Sequence, residues 1–414
     1  MNLLYSLSIG LYSLLIKLAA PFNTKARQIC KGRGQTFQLL KQRIKEDDRI
    51  VWVHCASLGE FEQGRPIIEA IKKQHTEYKI LLTFFSPSGY EIRKNYELAD
   101  CICYLPADTP SNAQKMIDIV NPELVFFVKY EFWNNYLREF KKRNTPLYLV
   151  SAIFRSNQQF FRNSPGGKWY RQMLFSFSHF FVQDENSVQL LHKIGLTNVT
   201  RAGDTRFDRV AEIAKNGKSL SLIEKFKGDS TLVVVGSSWQ PDEELIAGYI
   251  LKHTEIKFVI APHETKRTNV ERLINLFKTS VICYTEAREE TVINRQVLIV
   301  DTIGVLSSIY RYADLAYIGG GFGVGIHNTL EAAIFGMPIL FGPNYLKFNE
   351  ATTMVKLGIA FPVNNSEDLN SILDQLLFNA IEREKIAQKC TVFTQQNLGA
   401  TQTILDKVFN NKCK

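Results

Sequence analysis

The chain has 414 residues, 45% of them hydrophobic and 22% charged, the ordinary composition of a globular protein and long enough that two domains are expected rather than one core. Lys and Arg number 50 against 41 Asp and Glu, a formal charge of +9, which favours an acidic surface or ligand; anionic lipid and phosphorylated substrates fit, whereas nucleic acid is set aside because no basic stripe with interleaved aromatics appears. The seven cysteines, at 30, 55, 101, 103, 283, 390 and 413, lack paired metal-ligand spacing and read as reduced thiols in a cytosolic domain rather than a disulfide framework.

Residues 3–22 come first, a stretch apolar but for a few Ser, Tyr and Gly positions and Lys17, with no acid. At about 1.5 Å per residue such a helix reaches across a hydrocarbon core of roughly 30 Å. Met1-Asn2 carries none of the positive charge that opens a cleaved signal peptide. Lys25, Arg27, Lys31 and Arg33 follow, a flank that stays cytoplasmic. Residues 1–22 therefore read as an uncleaved membrane anchor; the alternative is a buried N-terminal helix of the globular body.

From residue 49 short β-rich runs alternate with helical patterns, the signature of parallel sheets with crossover helices. Strands are expected at 50–55, 79–84, 101–105, 124–128, 147–150 and 180–183, then at 231–236, 257–260, 281–284, 297–300, 315–318 and 338–341. A helix is expected over 60–74, where Ile67, Ile68 and Ile71 share a face. Residues 211–228, polar and carrying lysines and glycines, read as the hinge between two α/β halves facing one cleft.

Ligands of open α/β sheets bind beyond the carboxyl ends of the strands, so the turns there are where chemistry is expected. Ser57-Leu58-Gly59-Glu60 leaves the first strand, and Glu60 is the leading candidate for a catalytic base. Glu131, in Lys129-Tyr130-Glu131-Phe132-Trp133-Asn134 after another strand, reads either as a functional carboxylate or as a solvated charge at a helix start. Arg206, in Gly203-Asp204-Thr205-Arg206-Phe207-Asp208, either neutralises charge on a departing phosphate or pairs with Asp204 or Asp208.

In the second half, residues 314–333 run from a strand through Gly319, Gly320, Gly321, Gly323 and Gly325 into a helix expected near Asn328. Glycines admit a ligand close to the backbone, and a helix start favours phosphate; Asn328 with Glu331 also fits an N-cap and its partner. The turns at Pro262-His263 and at Asp301-Thr302-Ile303-Gly304-Val305-Leu306 leave strands of the same half and point to the same nucleotide crevice. No His-Glu-x-x-His, Cys-x-x-Cys, Asp-x-Asp, Gly-x-Ser-x-Gly or Walker pattern occurs, and no metal site is expected.

Together these segments resemble the Kdo transferases, the 3-deoxy-D-manno-octulosonic acid transferases of lipopolysaccharide synthesis. The resemblance is carried by the anchor, residues 51–60, Glu131-Phe132-Trp133, Ser151-Ala152, residues 203–208, Asp301-Thr302-Ile303-Gly304 and residues 319–343. It implies an α/β GT-B glycosyltransferase fold: an acceptor-binding Rossmann-like domain over 23–210, a CMP-sugar-binding one over 211–414, and a terminal helix crossing back to the first. It implies an inner-membrane enzyme, catalytic domains on the cytoplasmic side, that moves Kdo from CMP-Kdo to a lipid A precursor (lipid IVA) with inversion, using no cofactor or metal. By the same resemblance Glu60 is the proton acceptor, and Glu131 and Arg206 stabilise the transition state. CMP is met by Pro262, His263, Ile303, Gly304, Val305, Asn328, Thr329, Leu330 and Glu331, with Glu331 on the ribose and Asn328 near the phosphate.

The sequence departs from the family pattern at three positions. Pro262 stands where the family has arginine, with Lys266 or Arg267 as the candidate replacement charge. Arg206 stands for a lysine, which keeps charge but changes geometry. Val305 stands for a frequent glutamate, a change that a backbone contact tolerates.

Overall fold

A computed structural model describes residues 1–217, 219–278 and 280–410; Cys413 and position 218 of the expected hinge lie outside the described residues. The chain divides into two compact units, Met1–Asp208 with Gly399–Lys414, and Arg209–Leu398.

Unit 1 is built on β1 (Ile50–Cys55), β2 (Lys79–Phe84), β3 (Cys101–Tyr104), β4 (Leu124–Val128), β5 (Leu147–Ala152), β6 (His179–Val182) and β7 (Val199–Arg201), in the order β3-β2-β1-β4-β5-β6-β7. All its pairings are parallel, so helices cover both faces and the strands read as continuous apolar runs. Alternation still sorts their side chains. Trp52 and Phe127 enter one core layer, while Val51, Val53, Phe126 and Val128 enter the other. The second layer is completed from the far end of the chain by Ile404, Leu405 and Val408 of the helix Ala400–Phe409. Asp208 fixes the start of that helix, accepting from the backbone N–H groups of Gly399 at 2.6 Å and Thr401 at 2.7 Å.

Unit 2 repeats the plan with β8 (Leu232–Ser238), β9 (Lys257–Pro262), β10 (Val281–Cys283), β11 (Val297–Ile299), β12 (Leu315–Ile318), β13 (Ile339–Phe341) and β14 (Ala360–Pro362), in the order β10-β11-β9-β8-β12-β13-β14. Its pairings are parallel as well. Both units are Rossmann-like sheets.

Three expectations are corrected. The stretch 211–228, read as the hinge, is largely helical, in Arg206–Asn216 and Ser221–Lys227; the buried residues Phe207 with Val210, and Ile223 with Phe226, recur at the three-residue spacing of an apolar helix face. The helix after β1 starts at Leu58, ahead of the expected 60. The first helix, α1 (Asn2–Ala19), ends before residue 22, because Asn23 caps the next, α2 (Thr24–Arg43), by accepting from Ala26 N–H at 3.1 Å. β7 and β14 were not expected at all.

By length and composition α1 is able to cross a membrane. None of its residues is buried, which removes the buried-helix alternative. One side nevertheless touches the rest of unit 1: Tyr5 donates to Asp108 at 2.7 Å and Trp169 donates to Asn2 at 2.8 Å.

Since Ile404 is fully buried in unit 1, Ile404→Ala is expected to cost about 2–5 kcal/mol. Urea unfolding read by far-UV circular dichroism checks this, and an unchanged midpoint would show that the terminal helix is dispensable to the core.

Candidate active site

The chain leaves every strand of a parallel sheet at the same edge. Where the strand order reverses, the two neighbouring turns diverge and leave a crevice. In unit 1 the reversal lies between β1 and β4. The turn after β1 carries Ser57 and Glu60, and the turn after β4 carries Glu131.

Glu60 sits in the first turn of α3 (Leu58–Gln74), whose N-cap is Ser57. The Ser57 hydroxyl donates to Glu60 Oε2 and takes no backbone N–H, so the pair is not a capping box. Glu60 stays partly exposed. A group that must accept a proton from an incoming molecule needs that access.

Glu131 is not the solvated helix-start charge that one reading of the sequence allowed. The helix begins at Asn134, and Glu131 is 7% exposed. Its Oε2 accepts from Trp133 Nε1 at 2.6 Å and meets His54 Nε2 at 2.9 Å. His54, fully buried in β1, meets Thr83 Oγ1 through Nδ1 at 2.8 Å, and Thr83 accepts from Trp52 Nε1 at 2.8 Å. The donor inventory orients this chain. Indole nitrogens only donate, so Trp52 gives its proton to the Thr83 hydroxyl, and a carboxylate only accepts, so His54 turns an Nε2–H toward Glu131. Glu131 is thus held by two directed hydrogen bonds. Both carboxylates lie close enough to Cys55 to act on its thiol, whose pKa is raised first by burial and then by the charges of Glu60 and Glu131.

Backbone strain marks the same edge. Lys129, just past β4, has φ 72°, and Ser151, near the end of β5, has φ 53°; such left-handed conformations in residues with a Cβ are uncommon and concentrate at functional sites.

Arg206 takes the bland alternative. Its guanidinium grips Asp204, Nε at 3.0 Å and Nη2 at 2.6 Å from Oδ2, and its own N–H reaches Oδ1 at 3.0 Å. Gln63 adds a bond to Asp204 at 3.1 Å. Burial pushes the Asp204 carboxyl upward, but the charge and hydrogen bonds of Arg206 outweigh it and hold the group below the usual carboxylate range. Asp208 is occupied at the terminal helix instead.

In unit 2 the reversal lies between β8 and β12. β12 runs into the glycine turn, and β8 runs into Trp239, which the sequence reading did not single out. A cavity of about 450 Å³ opens here, lined by Trp239, His263, Phe322, His327 and the glycine turn. His263 stacks against both Trp239 and His327, ring centroids 4.6 and 4.5 Å apart, and Trp239 Nε1 donates to His327 Nε2 at 3.1 Å. Burial, and secondarily the neighbouring His263, lower the His327 pKa to about 4. Buried Asp242 pins the glycine turn, accepting from Gly320 N–H, Trp239 N–H and Tyr317 OH, each at 2.9 Å. Burial raises its pKa against the pull of those bonds.

Close packing explains part of the glycine run. A Cβ on Gly319 would stand 2.3 Å from Ser237 O, and Gly320 has φ +92°, a conformation glycine adopts without cost. The helix expected near Asn328 is a single turn, Leu330–Ala333, so its dipole is too short to favour a phosphate strongly. Asn328 does bind Glu331, Nδ2 to Oε1 at 2.9 Å. Thr329 Oγ1 is buried with no hydrogen-bond partner, and the Leu330 side chain is wholly in the core.

Of the other expected residues, Pro262 ends β9 and delivers His263, whose N–H donates to Ser238 O at 2.9 Å. Ile303 is 86% exposed on a turn with Gly304 at φ +92°, and Val305 precedes the short helix Leu306–Ile309. The charge of Glu331 reaches buried Tyr310 beyond that turn. Lys266 lines a second cavity beside Trp239, of about 340 Å³. Arg267 turns away to Glu271, 2.9 Å distant.

Two Rossmann-like units in one chain, each with polar side chains gathered at its strand-order reversal, define the GT-B class of glycosyltransferase-type folds. A solved structure of a putative UDP-N-acetylglucosamine 2-epimerase from Listeria monocytogenes is similar in fold, with TM-score 0.59 and 14% identity over 87% of this chain and 96% of that one. In sequence, residues 31–209 match the family described as 3-deoxy-D-manno-octulosonic-acid transferase (kdotransferase). The 3-deoxy-D-manno-octulosonic acid transferase of Aquifex aeolicus is 27% identical over 360 residues, 84% of this chain and 92% of that protein. That of Haemophilus influenzae is 26% identical over 371 residues, 86% of each. The chain is thus similar to this family of glycosyltransferases, by the family match over residues 31–209 and by these relatives along most of its length.

Two measurements check the electrostatics. Arg206→Gln leaves Asp204 buried with a weakened partner set and is expected to cost on the order of 3 kcal/mol at pH 7. Because the Asp204 pKa is depressed on folding, that stabilisation is complete above the ordinary carboxyl range and is lost as pH falls through the depressed value. Urea titrations of both proteins should therefore converge in acid, and a gap that persists unchanged at low pH would refute the ion pair's role. For His327, an NMR titration is expected to show a midpoint of about 4 rather than the ordinary histidine value of about 6.5; a midpoint at or above that ordinary value would contradict its burial beside His263.

Proposed function

We propose that the protein transfers Kdo from CMP-Kdo to a hydroxyl of a lipid A precursor (lipid IVA) in lipopolysaccharide synthesis, with inversion at the anomeric carbon. The observation that carries this reading is the placement of Glu60 and Glu131 on the two turns that flank the strand-order reversal of unit 1. Similarity to the matched family and the names of the relatives support the sugar.

In this mechanism Glu60 accepts the proton of the acceptor hydroxyl as its oxygen forms a bond to the anomeric carbon. The bond from that carbon to the CMP phosphate oxygen breaks, and its electron pair leaves with CMP. Glu131, locked between Trp133 and His54, and Arg206, locked on Asp204, supply fixed charges that need no reorganisation during the step. Unit 1 takes the acceptor and unit 2 the CMP moiety. There Pro262, His263, the backbone of Ile303, Gly304 and Val305, and the run Asn328, Thr329, Leu330 and Glu331 hold the nucleotide. Glu331 binds the ribose hydroxyls and Asn328 lies near the phosphate. The leaving group is a nucleoside monophosphate, with less charge to neutralise than a diphosphate, so fixed donors serve without a metal.

The hydrophobic helix α1 anchors the enzyme to the cytoplasmic face of the inner membrane, where the acceptor lipid resides, and the excess of basic residues suits a phosphorylated lipid.

Glu60→Gln is expected to reduce transfer from CMP-Kdo to a tetraacylated acceptor by at least about 10²-fold, while CMP still raises the thermal midpoint as it does for the unaltered protein. Normal turnover in the variant would remove Glu60 from the mechanism. Stabilisation by UDP in preference to CMP would overturn the choice of donor.

A further inference from the structure

Arg33, on α2, is a half-buried cation. Its Nε and Nη2 are shielded from solvent and have no hydrogen-bond partner, and among the described residues no carboxylate forms an ion pair with it. The groups facing it are Tyr12 of α1, Cys30 of its own helix, Tyr104 of β3 and Tyr136 of the helix Asn134–Lys142, and burial lowers its pKa. The guanidinium lies over the ring of Phe85, 4.9 Å from the centroid. A cation–π contact offsets part of the desolvation, but it leaves the N–H donors of Nε and Nη2 unmet, and an unmet buried donor is destabilising. Natural proteins rarely leave such donors orphaned without a use for them.

The surroundings say what the use is. Phe85 follows β2 and Tyr104 ends β3, so Arg33 sits at the same edge of the sheet as Glu60 and Glu131. Phe85 also stacks on Trp133, centroids 4.8 Å apart, and Trp133 holds Glu131. Phe85 stacks on Tyr12 of α1 as well, centroids 6.4 Å apart. That helix presents Leu4, Leu7, Leu11, Leu15 and Leu18 to the outside, each more than half exposed, and contains no acid. An unpaired guanidinium fork matches two oxygens of a phosphate. One lying between an apolar helix able to enter a bilayer and a candidate catalytic carboxylate is placed to receive a phosphate carried on a lipid.

We propose that Arg33 is a binding residue for a phosphate monoester of the acceptor lipid, seating the headgroup against Phe85 beside α1. The assignment rests on the acceptor being lipid-borne, as in the reaction proposed above. It adds to that reaction a residue that binds substrate away from the reacting atoms.

The test is binding of the full-length protein to phosphatidylcholine vesicles containing an acylated glucosamine disaccharide, either bearing its phosphates or stripped of them. The unaltered protein is expected to prefer the phosphorylated vesicles on the order of tenfold. Arg33→Gln should lose that preference while binding phosphate-free vesicles as before, and Arg33→Lys, which keeps the charge and serves if the glutamine variant does not fold, should retain only part of it. An undiminished preference in either variant would overturn the proposal. Inorganic phosphate added to protein without lipid separates the two sources of the anion: no thermal stabilisation is expected, and a stabilisation abolished by Arg33→Gln would replace the lipid with free phosphate. Kdo transfer measured alongside keeps the two readings apart. A phosphate preference without transfer would sink the reaction and leave the anion seat standing, whereas transfer without a phosphate preference would sink the seat alone.

Discussion

The constraint on which the rest depends is the direction of the strands. Every strand in both sheets is parallel to its neighbours, so every connection must cross a face and every strand must end at the same edge. Where the order reverses, at β1/β4 and again at β8/β12, no crossover covers the gap between two adjacent turns. Polar groups placed there meet a ligand without disturbing an apolar core that the parallel pairing has already buried on both faces. Glu60, Glu131, Trp239 and the glycine turn all sit on those four turns.

The two reversals are furnished differently, and the difference is chemical. Unit 1 invests in buried hydrogen bonding: indole, hydroxyl, imidazole and carboxylate run in series from Trp52 to Glu131, and a second buried carboxylate, Asp204, is held by Arg206 and Gln63. A buried polar chain is stable only if every member is satisfied, and this one fixes the orientation of Glu131 to within the play of two hydrogen bonds. Unit 2 instead offers stacked rings and backbone. Trp239, His263 and His327 lie nearly parallel, and the glycine turn is pinned from beneath by Asp242. Flat rings and bare peptide groups suit a planar base and its phosphate, whereas aligned carboxylates suit proton transfer.

Much of this was legible in the sequence. The central strands are unbroken apolar runs, and their positions followed directly; β7 and β14 escaped because three residues at a sheet edge leave no periodic trace. Residues 211–228 look like a linker in composition, but the three-residue spacing of Phe207 with Val210 and of Ile223 with Phe226 outweighs the polarity between them. Glu60 could be found because turn and strand are contiguous in the chain. His54 and Thr83 could not, since each occupies the middle of an apolar strand and acquires a partner only across the sheet, 77 and 29 residues away from Glu131 and His54 respectively. Trp239 was within reach: it follows the valine run of β8 at a reversal that the strand order makes visible. Arg33 read as one more basic residue of a membrane flank, and only the packing of Phe85 and Tyr104 around it shows that it is enclosed.

The division of labour between the two units is the central claim, and hydrogen–deuterium exchange of the full-length protein with and without CMP tests it most directly. Protection is predicted in unit 2, over the glycine turn and residues 328–331 and at the turns after β8 and β9, with exchange in the Ser57–Glu60 and Lys129–Glu131 turns of unit 1 unchanged. Protection of those unit 1 turns by CMP alone, with none at the glycine turn, would contradict it.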